Sequence, residues 1–273
     1  MSIKDQISNA QTLLGKVKMP ILPQAALDLQ QLFNHSAMPA PDQVKRLISM
    51  NPLLAGELVS LANQPSLLST IDITIKDIDS AIYRLGHKKL KNYILSIYIK
   101  KMLDDHKIKG LSYHSQDIAI IAAEIARFNP FIRSDEAYLL GLVHDIGSFI
   151  LSDLDENYGD TFVGRLLSHH EVEQYELKHY GTTHSALGYV IAHSWSIPNY
   201  ISQTILLHHT PHICSVANDK LRNLIAIIEL AHAISTLRNS TKDNDYGAEK
   251  IKTECQIILG LSDEELNKIS LLS

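Results

Sequence analysis

The sequence predicts an all-α fold. Apolar residues recur at helical spacing along most of the chain, prolines and glycines stand where helices would begin and end, and no stretch alternates with the period of two that a half-buried strand requires. With 273 residues and 45% apolar content, the chain can bury a sizeable core in one large domain or two smaller ones.

The elements follow in order. Pro23, Pro41 and Pro52 each open a periodic segment, where a missing N–H costs least because the first helical amides have no intrahelical acceptor. Ile75, Ile78, Ile82 and Leu85 keep the 3.6-residue period and stop at Gly86, which predicts one helix across them. KIKGLS, 107–112, is the expected seam between an amino-terminal helical half, 1–108, and a carboxy-terminal half, 109–273. Ser134 before Asp135 and Glu136 reads as an N-cap with acids in the first turn. Pro198 opens a later helix, the polar stretch Arg238 to Tyr246 reads as a loop, and Ser262-Asp-Glu-Glu265 fits a capping box. There is no internal repeat or low-complexity tract.

Charge narrows the function classes. Lys and Arg number 25 against 30 Asp and Glu, a formal charge of −5, which argues against a general polyanion binder while leaving room for a local basic face, and nucleic acid is not the expected partner. Lys88, Lys89, Lys91, Lys100, Lys101, Lys107 and Lys109, offset by Asp104 and Asp105, read as a solvated face with a local capacity for an acidic partner. MSIKDQISNA has no apolar signal region, and no later run is expected to reach the ~20 apolar residues of a membrane span. A cytoplasmic protein with no membrane partner is the expectation. Cys214 and Cys255 are expected free and reduced.

Histidines distinguish the two halves. Of 14, only His35 and His87 precede residue 100, so a histidine-built site belongs to the second half. The candidate ligands are His114 in LSYHSQDIAIIAAEIA, His144 and Asp145 in GLVHDIGSFIL, His184 in YGTTHSALG, His208 and His209 in ILLHHT, and His232 in ELAHAIS. Imidazole and carboxylate suit Zn, Fe or Mn, and a helical bundle aims distant side chains into a common centre. Adjacent helical residues point ~100° apart, so His144 and Asp145 share an ion most easily near a helix end, which Gly147 permits. The alternative is a packed, hydrogen-bonded histidine at each position, with Asp145 paired to an imidazolium or a backbone amide. Spacing decides nothing between them, because no compact pattern such as HExxH is present. Trp195, before Ser-Ile-Pro198, reads as core between helices. Glu176, His179 and Tyr180 lie close enough to His184 to support it by hydrogen bonds, although a helix–loop surface uses the same residues.

The ordered motifs resemble the HDOD family, the HD-related output domains of bacterial signalling proteins. His114, His144-Asp145-Ile-Gly147, Gly181-xx-His184-xxx-Gly188, Trp195-Ser-Ile-Pro198 and His208-His209 carry the likeness in the second half. In the first half, MPILPQAALDLQQLF resembles the family's opening helix start, with Gln24-Ala25-Ala26 lacking its second proline. MNPLLAGELVSLANQ resembles the segment that ends Leu-xx-Ala-Asn, with Asn51 where Asp is usual, and IDITIKDIDSAIYRLGHKKL resembles the helix that ends Leu-Gly. The likeness runs from about residue 19 to about residue 235.

The resemblance implies an all-helical fold whose second half is related to HD phosphohydrolases. Catalytic HD-GYP relatives hold a two- or three-metal centre, and their ligands correspond by position to His114, His144, Asp145, His184, His208 and His209. Departures are Ser148 for the lysine of HDIGK, Gly110 where some relatives have a further glutamate, His232 near the place of the last aspartate, and Thr210-Pro-His-Ile where the GYP signature would stand. A two-metal hydrolase needs a bridging carboxylate, an activated water and cations over the developing phosphoryl charge. The implied function is therefore a signalling output module that meets a protein partner, more an interaction module than an enzyme, with no catalytic residue assigned. One transition metal ion, Fe, Mn or Zn, is expected on His114, His144, Asp145, His184, His208, His209 and His232. The alternatives are a metal-dependent phosphodiesterase acting on a cyclic dinucleotide and a regulator that binds a nucleotide without hydrolysing it.

Overall fold

In the computed structural model, residues 1–35, 39–64, 73–164, 169–239 and 246–271 are described. Among them the chain is all-α, with no strand. Among the described residues sixteen α-helices follow one another: α1 (Ile3–Leu14), α2 (Gln24–His35), α3 (Pro41–Ser49), α4 (Pro52–Leu61), α5 (Ile78–Leu85), α6 (Leu90–Asp104), α7 (Leu111–Arg127), α8 (Ser134–Val143), α9 (Ser148–Leu154), α10 (Tyr158–Gly164), α11 (His169–Tyr180), α12 (His184–Ser194), α13 (Asn199–Leu207), α14 (Asp219–Asn239), α15 (Tyr246–Leu259) and α16 (Asp263–Ser270). They form two compact units, residues 21–102 and residues 1–20 with 103–273.

In the smaller unit, α2 packs on α3, α3 on α4 and α4 on α5. Val44, Ile48, Leu54, Leu58, Ala81 and Leu85 are buried. Pro41 and Pro52 are first residues of their helices, and α2 begins directly after Pro23. The Asn51 side chain accepts the Leu54 amide at 3.1 Å and so caps α4. Helix α5 starts three residues later than the isoleucine spacing predicts. Ile75 gives its N–H to Asn63 Oδ1 (2.8 Å) and accepts Asn63 Nδ2–H on its carbonyl (2.9 Å), so neither group is free for a helix. Asp77 then caps the helix through the Ser80 amide at 2.8 Å.

The larger unit is built on α14, in which every residue from Asn223 to Thr236 is buried. A helix apolar on all sides belongs in an interior, and α7, α8, α13 and α15 all pack on it. Helix α8 is equally enclosed. Its cap is Arg133 rather than Ser134: Arg133 has extended backbone, and its N–H donates to Glu136 at 3.1 Å. The buried acids of its first turn are paired, Asp135 with Arg133 and Glu136 with Tyr200 (2.6 Å) and Lys220 (2.9 Å). Ser262 makes the expected capping box with Glu265. Trp195 is buried and donates its indole N–H to the Pro20 carbonyl at 3.0 Å. Of the loop expected at Arg238 to Tyr246, residues 240–245 lie outside the described residues. By length and composition, Ser134–Leu154 does reach the span of a membrane helix, against expectation. The α8–α9 turn interrupts it, and 89% of its most apolar window is buried inside the protein.

Candidate metal centre

Close backbone crossings aim the site residues. At Gly141 on α8, an added Cβ would stand 2.4 Å from Ala119 Cα and 2.6 Å from Ala119 N, so α7 and α8 touch backbone to backbone there. At Gly147, in the α8–α9 turn, a Cβ would stand 2.0 Å from the His184 carbonyl oxygen and 2.6 Å from Gly188 N. Only glycine allows that turn to lie on the first residues of α12. His144 and Asp145 therefore leave the end of α8 directly against His184, the first residue of α12. His208 and His209 follow the last residue of α13, His114 lies in the first turn of α7, and His232 projects from the buried α14.

All seven predicted ligands meet. They form two groups, Asp145 with His184, His208 and His209, and His114 with His144 and His232, the donor atoms of each group lying within 4.8 Å of one another. Asp145 joins them: Oδ1 lies 3.4 Å from His184 Nε2 and 3.5 Å from His208 Nε2, while Oδ2 lies 3.0 Å from His144 Nε2 and 3.6 Å from His114 Nε2. His184 and His209 approach through their Nε2 atoms at 3.1 Å, as do His144 and His232.

The outer ring nitrogens fix what the inner ones can do. His144 Nδ1–H donates to the Gly141 carbonyl (2.8 Å), His208 Nδ1–H to the Ile205 carbonyl (2.6 Å) and His184 Nδ1–H to Glu176 (2.9 Å). Glu176 is fully buried and also accepts Tyr158 O–H (2.6 Å) and the His184 backbone N–H (2.8 Å). In their neutral forms these three imidazoles present lone pairs, not protons, to a buried carboxylate. His114 Nε2, His208 Nε2 and Asp145 Oδ2 are buried with no hydrogen-bond partner. Such a convergence of acceptors is costly unless a cation occupies its centre, and carboxylate–histidine pairs like Glu176–His184 are the usual support of a ligating imidazole. The residues fit a metal ion.

Without a metal ion, the electrostatics divide the imidazoles: His114 and His208 are held neutral, while His184 carries a proton that a metal ion would have to displace. Burial disfavours a charged Asp145, but the imidazoles of His144, His208 and His184 outweigh it and hold the carboxyl well below its usual range. Burial lowers His208, and lowers His114 to about 4, against the pull of Asp145. Both are thus neutral, the ligating form. Burial also opposes a His184 cation, yet Glu176 overrides it and raises His184 to about 9.

Of the suggested supports, Glu176 alone reaches the cluster. His179 Nδ1–H bonds to the Tyr175 carbonyl and Tyr180 to Asp155. The residue that the sequence reading missed is Glu229, buried 3.7 Å from His209 Nδ1, with Oε1 lacking a hydrogen-bond partner and its carboxyl pushed up to about 8 by burial and by Glu173. Its signal was present, since Glu229-Leu-Ala-His232 sets both side chains on one helix face.

Residues 19–211 match the HDOD domain family, and the chain belongs to it. Three known proteins are similar to it. An HDOD domain protein of unknown function from Geobacter sulfurreducens is 24% identical, with a TM-score of 0.72 over 98% of this chain and 93% of its own. A candidate metal-dependent phosphohydrolase from Shewanella amazonensis SB2B is 18% identical, with a TM-score of 0.67 over 97% of this chain and 96% of its own. An uncharacterised protein of Treponema pallidum (strain Nichols) is 24% identical over 226 residues, which are 78% of this chain and 41% of that protein. The chain thus spans less than half of that curated relative.

Proposed function

We propose that the chain is a signalling module whose histidine–aspartate cluster holds a transition metal ion and which acts by contact with another protein. The observation that carries this reading is the convergence of imidazole lone pairs, their Nδ1 protons already committed, on the buried Asp145 carboxylate. Asp145, His184, His208 and His209 would hold the first ion. His114, His144 and His232, with the other oxygen of Asp145, offer a second place. The imidazole-rich set selects Fe, Mn or Zn over Mg. When bound, the ion would take the place of the His184 proton beside Asp145 and tie the α8–α9 turn to α12 and the end of α13.

Enclosure favours a structural or sensing ion over turnover. The ligating side chains whose exposure bears on access run from 0% at His144 and His208 to 14% at His114, and four protein ligands in a closed site leave no position for substrate. The seven residues all lie in the larger unit, which leaves the smaller unit for recognition. Its Lys88 and Lys89 are assigned to an acidic partner surface. Metal analysis of protein purified without added metal tests the reading: Fe, Mn or Zn bound to the wild type and lost from His208→Ala supports it, and metal-free protein that takes up none of the three overturns it.

A second reading, phosphodiester hydrolysis, is favoured by one fact, that the two oxygens of Asp145 face two donor groups, as in two-metal hydrolases. Ser148, buried beside the cluster where a cation would assist, argues against it. Turnover of a cyclic dinucleotide with Mn distinguishes the two.

A further inference from the structure

The turn that delivers His184 is held from outside by α1, which precedes the segment matching the HDOD family. Thr182 donates its hydroxyl to the Gln6 carbonyl at 2.9 Å, Thr183 donates to Gln6 Oε1 at 3.5 Å, and Asn9 Nδ2–H donates to the Gly181 carbonyl at 2.7 Å. Thr182 and Thr183 are buried. Thr183 Oγ1 is also the cap of α12, accepting the Ala186 amide at 3.1 Å. Gly181 has a left-handed backbone (φ +69°) with Asn9 beside it. Helix α1 buries Ala10 and packs along α12.

We infer that α1 is a positioning element for the metal centre, acting through the 181–183 turn on His184. The inference rests on the metal reading above and adds its control from outside the family segment. His184 is gripped at two points. Glu176 fixes its ring and amide from one side, and α1 fixes the backbone that precedes it from the other. Releasing α1 frees the Gly181 carbonyl and both threonine hydroxyls to water, so the cap of α12 and the aim of His184 loosen together. The group Asp145, His184, His208 and His209 then loses one well-placed donor, while His114, His144 and His232, carried by α7, α8 and α14, are untouched.

The test uses the full chain with two variants, Asn9→Ala, which removes one tether, and Ala10→Asp, which dislodges the helix. Zn²⁺ titration against a competing chelator and hydrogen exchange of the 181–187 amides are measured on each, with Ile3→Ser on the exposed side of α1 as the control. The expected result is about tenfold weaker Zn²⁺ binding in Ala10→Asp, the scale of losing a supporting contact around a metal ligand, a smaller loss in Asn9→Ala, and faster exchange at 181–187 with exchange at 140–146 unchanged. Wild-type affinity in both variants, with unaltered exchange at 181–187, overturns the inference. A general rise of exchange in Ala10→Asp would mark global destabilisation, and Asn9→Ala then decides. If the wild type takes up no Zn²⁺, the metal reading fails, and the exchange data alone judge the coupling of α1 to the turn.

Discussion

Asp145→Asn separates a metal centre from a metal-free ion cluster, because the two respond with opposite sign. The substitution keeps shape and replaces one carboxylate oxygen with an N–H₂ donor. Around it stand Nε2 atoms of His144, His184, His208 and His114 at 3.0 to 3.6 Å. If these present lone pairs, Asn converts acceptor–acceptor contacts into hydrogen bonds, relieving orphaned atoms that cost roughly 1–3 kcal/mol each. The metal-stripped variant should then melt at or above the stripped wild type. With metal, the wild type gains about 2.7 kcal/mol at a hundredfold excess over its dissociation constant. A unit of this size shifts by roughly 2–4 °C per kcal/mol. The wild type should therefore melt about 5–10 °C higher with Mn or Zn than with chelator, and the variant should show no difference. If the cluster is instead held by imidazolium protons, removing the charge breaks a buried ion pair and costs about 3–5 kcal/mol. A variant that melts far below a wild type indifferent to chelator would refute the reasoning.

Gly147→Ala should cost more than an ordinary surface change, since its Cβ would meet the His184 carbonyl oxygen at 2.0 Å; thermal melts should show a large loss together with loss of metal, whereas Gly56→Ala, with open space around it, should be neutral or better. Cyclic dinucleotide turnover with Mn, Fe or Mg should be absent or marginal, and a rate of roughly one per second abolished by Asp145→Ala would contradict the assignment. Burial opposes the Glu136 carboxylate, but Tyr200, Lys220 and the Arg133 amide outweigh it and hold its pKa below the ordinary value. Its stabilisation is thus full at neutral pH and is lost as pH falls below the usual carboxylate range, so the melting difference between wild type and Glu136→Gln should shrink on acidification from pH 6 to pH 3.

Local chemistry made most of the helix boundaries legible. Prolines 41 and 52, the Gly86 stop and the Ser262 box act within one turn, and they stand where the sequence puts them. Ile75 misled because its apolar spacing was right while its backbone was claimed by Asn63, twelve residues away. The seven candidate ligands were readable as residue types on helices or at their ends. Their grouping was not, since the division around the two oxygens of Asp145 depends on crossings at Gly141 and Gly147 that only the packed structure brings about. Glu229 carried one local signal, its three-residue spacing to His232, and its burial beside His209 comes from packing. The grip of α1 on the 181–183 turn joins residues more than 170 positions apart, and no local pattern announces such a contact.

The central claim is that the buried cluster binds a metal between Asp145 and the histidines of α12 and the end of α13. Crystals grown with Mn and measured for anomalous scattering at its absorption edge test it most directly. The account predicts a peak bounded by Asp145, His184, His208 and His209. A well-ordered cluster with no anomalous peak there, from crystals saturated with Mn, would contradict it.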